Sequence, residues 1–288
     1  MRLNRKAIAE ETMAIIEAGS YRVAGRTVTL DVPRAVAAAR LVHAHDAPRP
    51  ETGERATVLR LTPETTLEAA RRLGPGVAAL NFASAKNPGG GFLRGAHAQE
   101  EALARASTLY PTLRRFQAEF YDAHRAAGDA RYSDRMIYSP HVQVFRDESG
   151  ALLTDPYEVA FITSPAPNRG ALAPDVDVSG ALRTRAAKVL ALAAAEGHRT
   201  LVLGAWGCGV FRNDPGEVAD VWADLLDNAY SSGPGARAFK GPTSSGRPRT
   251  APFSGVFEHV TMAVWDPSGT TPQYRAFAER FKEAQGAG

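Results

Sequence analysis

Apolar positions recur at loose helical spacing from Asn4 to Ala18, through Ala7, Ile8, Met13, Ile15 and Ile16, until Gly19 stops the run. This predicts an opening helix. Tyr21 to Val32 then alternates around Gly25 and predicts a hairpin or a pair of edge strands. His43 to Arg55, with Pro48, Pro50 and Gly53, predicts a connector. Beyond it the pattern becomes strand then helix, repeated. Strands are predicted at Thr57–Leu61, Val77–Phe82, Met136–Phe145, Tyr157–Thr163, Thr200–Ala205 and Phe257–Val264. Helices are predicted from Thr62-Pro63-Glu64 to Leu73, and over Gln99–Leu113, Gly180–Ala195, Pro215–Ala229 and Thr271–Ala284.

Such alternation implies an α/β fold: a mixed, mostly parallel sheet sandwiched between helices. Residues 1–55 are too short for a core of their own and are expected to pack as an N-terminal helical and hairpin extension on a core of 56–288, the two forming one structural unit. Ligands of such sheets sit beyond the carboxyl ends of the strands. That draws attention to two glycine-rich loops, one after Phe82 and one after Ala205.

Composition narrows the class. Hydrophobic residues make up 44% and charged residues 23%, which excludes a disordered or fibrous chain. The net charge of +3 is too small for coating nucleic acid, and it mildly favours an anionic ligand. Cys208 is the single cysteine, so no intramolecular disulfide can form and most cysteine-based zinc sites are excluded. Acidic residues interrupt the opening segment before any signal-peptide core develops, and Val189–Ala195, the longest apolar stretch, is far short of the roughly 20 residues of a membrane span. A cytoplasmic protein without membrane contact is expected.

The first loop reads Asn81-Phe82-Ala83-Ser84-Ala85-Lys86-Asn87-Pro88-Gly89-Gly90-Gly91-Phe92. Three glycines after a buried strand let backbone N–H groups approach a ligand, though a plain structural turn explains such a run as often. Residues 92–98 separate it from Gln99-Glu100-Glu101. The second loop reads Gly204-Ala205-Trp206-Gly207-Cys208-Gly209-Val210-Phe211. Glu100 and Glu101 have a purely structural reading as first-turn acids that offset the helix macrodipole, and the Glu101–Arg105 spacing gives a helical pair worth roughly 0.3 kcal/mol.

The Gly-Gly-Gly, short spacer, Gln-Glu-Glu arrangement resembles poly(ADP-ribose) glycohydrolases, which are built on a macrodomain. The words Asn-Phe-Ala-Ser, Asn-Pro-Gly-Gly-Gly-Phe-Leu and Leu-Ala-Arg-Ala-Ser-x-Leu-Tyr are similar to the bacterial-type branch. The resemblance implies that Glu101 is the catalytic acid and that Glu100 holds the ribose hydroxyls. It implies substrate contacts at Asn87, Gly89, Gly90, Gly91 and Gln99. It likens the second loop to a diphosphate cradle of Gly207, Cys208 and Gly209, with a side chain added at Gly207 aimed at the phosphates and with Val210 and Phe211 beside the distal ribose. The implied partners are poly(ADP-ribose) and ADP-ribosylated proteins, with ADP-ribose as product, a monomeric enzyme, no cofactor, no metal and no sequence-specific nucleic-acid binding. A role in reversing ADP-ribosylation during the DNA damage response follows from the same resemblance.

Where many macrodomains carry a second asparagine, this chain has Ser84, with Asn87 three residues on, leaving two candidates for one ribose contact. Candidates for the adenine contact are Thr163–Asn168 and the Phe239–Phe253 region. His97, His141, His198 and His259 are scattered and read as structural or surface residues, and Cys208 reads as an apolar filler, since no histidine base is evident beside it. Ser231–Gly255, with Arg237, Lys240, Arg247 and Arg249, reads as a flexible surface loop able to meet a polyanion. Alternatives to an exo-acting glycohydrolase are a mono-ADP-ribosyl hydrolase, a non-catalytic ADP-ribose reader, which would not need both glutamates, and a dinucleotide-dependent dehydrogenase, which would need Gly-x-Gly-x-x-Gly on its first strand.

Overall fold

The computed structural model describes residues 4–46, 53–226 and 252–281. The expected basic loop therefore lies almost wholly outside the described residues, as do the ends of the helices expected to reach Ala229 and Ala284.

The opening helix, α1 (Arg5–Ala18), begins where the Asn4 side chain accepts the Ala7 amide and ends at Gly19 in the left-handed region, φ 65°. Ala9, Thr12, Ile15 and Ile16 form its buried face. The hairpin β1 (Ser20–Val23) and β2 (Arg26–Thr29) follows. Two elements then arise that periodicity did not reveal: α2 (Val32–Ala38), capped by Asp31, and β3 (Arg40–Val42). The last carbonyls of α2 are satisfied by Arg115, whose Nη1 donates to Val36, Ala37 and Ala39 at 2.7 to 2.9 Å.

The rest alternates as expected: β4 (Val58–Thr62), α3 (Thr66–Leu73), β5 (Val77–Phe82), α4 (Gln99–Ala106), α5 (Leu109–Arg114) and α6 (Ala123–Ala127), then the long hairpin β6 (Met136–Arg146) and β7 (Leu152–Ser164). It closes with α7 (Ser179–Ala195), β8 (Thr200–Leu203), α8 (Pro215–Leu226), β9 (His259–Ala263) and α9 (Pro272–Phe281). Two expected helices change. α3 starts later than Thr62, because Thr62 still belongs to β4 and Thr65 forms a reciprocal capping box with Glu68. The helix expected over Gln99–Leu113 breaks, because Ser107 is extended and bridges Val144 of β6.

The seven-stranded sheet has the order β3-β6-β7-β5-β8-β9-β4. The pairs β7-β5, β5-β8, β8-β9 and β9-β4 are parallel, and β3-β6 and β6-β7 are antiparallel. Successive residues of β5 serve opposite faces. Ala78 and Leu80 join Val189, Trp222 and Phe277 from α7, α8 and α9, while Val77 and Ala79 join Leu67, Leu103 and Leu109 from α3, α4 and α5. Because β5 and β8 are parallel neighbours, the loops that follow them leave the same edge of the sheet.

Candidate active site

The first loop is a tight turn pinned at one end. Gly90 N–H donates to Asn87 O at 3.0 Å and Phe92 N–H to Gly89 O at 3.3 Å, while the Phe92 ring is fully buried with Ala9, Ala104 and Tyr110. Gly90 holds φ 60°, and a side chain there would overlap the Glu101 carboxylate and crowd Glu100 at 3.3 Å. Gly91 N–H donates to Glu101 Oε1 at 3.0 Å. The glycine run and the two glutamates thus form one cluster, with both carboxyl groups facing Gly90 and Glu101 half-buried at the opening.

Glu100 is buried, with 3% of its surface exposed. Its Oε2 accepts the Ser84 amide at 2.7 Å and its Oε1 the Asn81 side-chain amide at 3.4 Å. Burial pushes its carboxyl up to about 8 against the pull of the Ser84 N–H, and the neighbouring Glu101 charge adds to the rise. At neutral pH Glu100 is therefore mostly protonated. Asn81, fully buried at the end of β5, also donates to Thr163 Oγ1 at 3.1 Å and steadies the pair. Asparagine in an otherwise apolar central strand was the signal for that role.

Gln99 departs from its expected part as a substrate contact. Its Oε1 accepts the Phe82 amide at 2.9 Å, and its Nε2 donates to Leu80 O at 2.8 Å and Thr66 Oγ1 at 3.1 Å, so the side-chain amide is committed to tying α4 to β5 and α3. Ser84 turns its hydroxyl on the Lys86 and Asn87 amides at 3.2 and 3.1 Å and so shapes the loop, whereas the Asn87 side chain stands exposed.

In the second loop, among the described residues, the amides of Gly209, Val210 and Phe211 donate to no protein acceptor. Consecutive free N–H groups at a strand end suit an anion. Gly207 has φ 75°, but a side chain there would run into Ala166 and Asn213, not toward a ligand as expected. Gly209 instead opens on empty space, with nothing within 4 Å of an added Cβ. Cys208 is also corrected as a ligand contact: its amide donates to Ala205 O at 3.2 Å and its thiol approaches Trp206 O at 3.7 Å. Burial pushes that thiol up to about 12, so it stays neutral and fills space. Val210 is 81% exposed, while the Phe211 ring leans on Tyr132 with centroids 5.8 Å apart. Tyr132 and Arg212, which flank that contact, are non-glycine residues held at φ 62° and 58°.

A cavity of about 510 Å³ opens on the neighbouring side of α4. Its lining includes the apolar Phe82, Ala205, Val264 and Trp265 and the basic Arg5, His97 and Arg105. Of the expected adenine candidates, Thr163 and Ser164 are buried in β7 and the Asn168 backbone N–H donates to Ala130 O, while all but the last two residues of the Phe239–Phe253 region lie outside the described residues. Among the described residues, no three His, Cys, Asp or Glu side chains group as metal ligands, and no helix is long and apolar enough to cross a membrane.

Comparison with known proteins adds an independent line. Residues 9–147 match the family model of the microbial-type PARG catalytic domain. No curated protein matches the chain. Among solved structures, poly(ADP-ribose) glycohydrolase from Thermomonospora curvata bound to the inhibitor ADP-HPD is 47% identical, with a TM-score of 0.83 over 97% of this chain and 100% of that one. The Deinococcus radiodurans enzyme in complex with ADP-ribose is 42% identical, with a TM-score of 0.73 over 91% of this chain and 99% of that one. Likeness of this degree over nearly the whole chain makes it a member of the microbial-type poly(ADP-ribose) glycohydrolase family.

Proposed function

We propose that this protein is a glycosidase that hydrolyses the ribose–ribose bond of poly(ADP-ribose), releasing ADP-ribose from chain ends, including chains carried on ADP-ribosylated proteins. The observation that carries the reading is the hold of the Gly91 amide on the Glu101 carboxylate inside a glycine turn, at the same sheet edge as the free amides of Gly209, Val210 and Phe211. The diphosphate lies along those amides, which brings the distal ribose to the glutamates. Glu101 gives its proton to the leaving ribose oxygen as the anomeric carbon takes on oxocarbenium character, and the resulting carboxylate then takes a proton from the attacking water. Glu100, predominantly protonated in its buried seat, holds the ribose hydroxyls without placing a full second negative charge beside its neighbour. Gly90 keeps the space in front of the two carboxyl groups free of a side chain, while Gly89, whose side chain would strike Phe92 and Ala104, lets the turn close over the core; Phe211 packs beside the sugar, exposed Asn87 meets it at the rim, and Gln99 positions the pair.

The cavity, whose volume falls in the range of small-molecule sites, takes the adenine against its apolar side chains Phe82, Val264 and Trp265. Ile8 of α1 closes that cavity on one side, which favours a chain end over the interior of a polymer. A lone, buried, neutral cysteine is consistent with action in the cytoplasm. Glu101→Gln tests the reading. Release of ADP-ribose from polymer, followed chromatographically, should fall by about a hundredfold or more, as for loss of a general acid. Calorimetry should show ADP-ribose affinity within a few fold of wild type. Undiminished release by the variant would remove Glu101 from the acid role.

A further inference from the structure

The outer side of Glu101 is lined by cations that the hydrolytic steps leave unused. Both the Arg94 guanidinium and the Glu101 carboxylate lie near the point where a Gly91 side chain would begin, Nη2 at 3.7 Å and Oε1 at 3.9 Å. Arg94 is carried on a turn fixed by its own N–H to Gly91 O at 2.9 Å and by Gly95 N–H to Phe92 O at 2.9 Å. Gly95 in turn faces Lys6, whose amide nitrogen would lie 3.4 Å from a Cβ added there, and so sets the start of α1 beside this turn. From there Arg5 reaches the cavity wall next to His97 and Arg105, close enough for Arg5 and Arg105 to oppose each other electrostatically and for both His97 and Arg105 to feel Glu101.

Glu101 acts on His97 and Arg105, and Glu148 on Arg105, but among the described residues none of these cations is held in an ion pair. Among the described residues neither Arg5 nor Arg94 pairs with a carboxylate, and the Arg5 Nε is buried without an acceptor. Arg105 spends its donors on Ala96 O at 2.9 Å and His97 Nδ1 at 3.4 Å, both uncharged partners. Of the acids lining the same cavity, Glu64 is paired with Arg72, whereas Glu68, Asp147 and Glu148 are held by neutral donors, the Thr65 amide, the amides of the Asp147 turn and the Thr65 hydroxyl. Crowded guanidinium groups with a buried donor left over favour a multiply charged anion.

We propose that Arg5 and Arg94, backed by His97 and Arg105, form a subsite for the diphosphate of a second ADP-ribose unit, the one covalently joined to the unit held in the active site. This rests on the hydrolase reading above and names the feature by which the site tells a polymer from a single modification. A neighbouring unit carries its diphosphate one sugar away from the linkage, whereas an amino-acid side chain or a simple alcohol carries none. The subsite therefore adds affinity for polymer and none for free ADP-ribose.

The test is the double variant Arg5→Gln, Arg94→Gln against wild type, on the two-unit oligomer, on longer polymer, and on ADP-ribose bearing an uncharged phenol at the anomeric carbon. For the oligomer or the polymer, kcat/KM should fall at least tenfold in low salt, and the steep loss of wild-type rate with added salt should flatten. ADP-ribose affinity by calorimetry and kcat/KM on the phenol substrate should stay within about twofold of wild type, which also shows the fold to be intact. Loss already on the two-unit oligomer places the second unit on the leaving side, and loss confined to longer polymer would overturn that placement. Unchanged rates and salt dependence on both would overturn the subsite. A wild-type protein that cleaves the phenol substrate but neither oligomer nor polymer would overturn the hydrolase reading and the subsite with it.

Discussion

Gly207 and Gly209 stand two positions apart in one loop, yet their missing side chains face different surroundings. At Gly207 a Cβ would collide with Ala166 and Asn213, and the φ of 75° disfavours any L side chain. Asn213 also holds the loop through Pro167 O at 2.8 Å. Gly207→Val should therefore act through the fold, lowering stability by roughly 1–3 kcal/mol in urea unfolding. Gly209→Val meets open space and should keep stability within about 0.5 kcal/mol, while its side chain occupies the line of free amides and cuts ADP-ribose affinity at least tenfold by calorimetry. If Gly209→Val binds normally, the diphosphate does not lie there. Glu100 supports a second expectation at this scale. Its folded value of about 8 lies above the ordinary 4.5, so between those limits the folded protein keeps a proton that the unfolded chain has lost. The associated stability is complete below about pH 4.5, is lost as pH rises toward about 8, and is level above. Glu100→Gln, a neutral isostere, should abolish that decline. Melting temperatures of the two proteins compared from pH 5 to 9 should converge at the acid end and separate at the alkaline end, with the variant higher. Parallel curves would show that Glu100 titrates near its ordinary value in the fold.

At the scale of elements, periodicity located most helices and strands but was blind to contacts distant in sequence. Leu103, Ala106, Leu109 and Leu113 keep helical spacing, so nothing local marks the break between α4 and α5. β6 imposes it: Thr108 N–H donates to Gln143 O at 3.0 Å, and Gln143 N–H donates to Thr108 Oγ1 at 2.9 Å. The site was more legible than its supports, because a glycine run followed by paired acids is a local pattern, whereas the commitment of Gln99 to Phe82, Leu80 and Thr66 depends on how three elements meet. The tether of α1 was hidden for the same reason. Thr12 Oγ1 donates to Arg105 O at 2.7 Å and accepts from Arg146 Nε at 3.0 Å, while Arg146, 2% exposed, reaches Glu11 at 2.8 Å. Thr12→Val keeps the shape but leaves a buried guanidinium N–H and a carbonyl unpaired. Urea unfolding should show a loss of about 1–3 kcal/mol with an unchanged m-value. A neutral result would mean that α1 is held by apolar contacts alone.

At the scale of the whole molecule, the segment expected as an addition to the core supplies part of the sheet itself. Arg40, Leu41 and Val42 of β3 pair with Tyr138, Ile137 and Met136 and cover the edge of β6. Ile15, Ile16, Tyr21 and Leu30 bury Phe145 from the same strand, and Ala9 joins Phe92, the anchor of the glycine turn. A chain beginning at residue 56 would expose Phe145, leave the β6 edge unpaired along an apolar stretch and loosen the turn that carries Gly90 and Gly91. Such a truncation should therefore aggregate on expression, and what stays soluble should bind ADP-ribose far more weakly than the full chain. The full chain should unfold in one calorimetric transition whose van't Hoff and calorimetric enthalpies agree. Two resolved transitions, or a soluble truncated protein with full activity, would show the first 55 residues to be a separate module, and the Arg5 that α1 places beside His97 and Arg105 would then be held only by docking between modules.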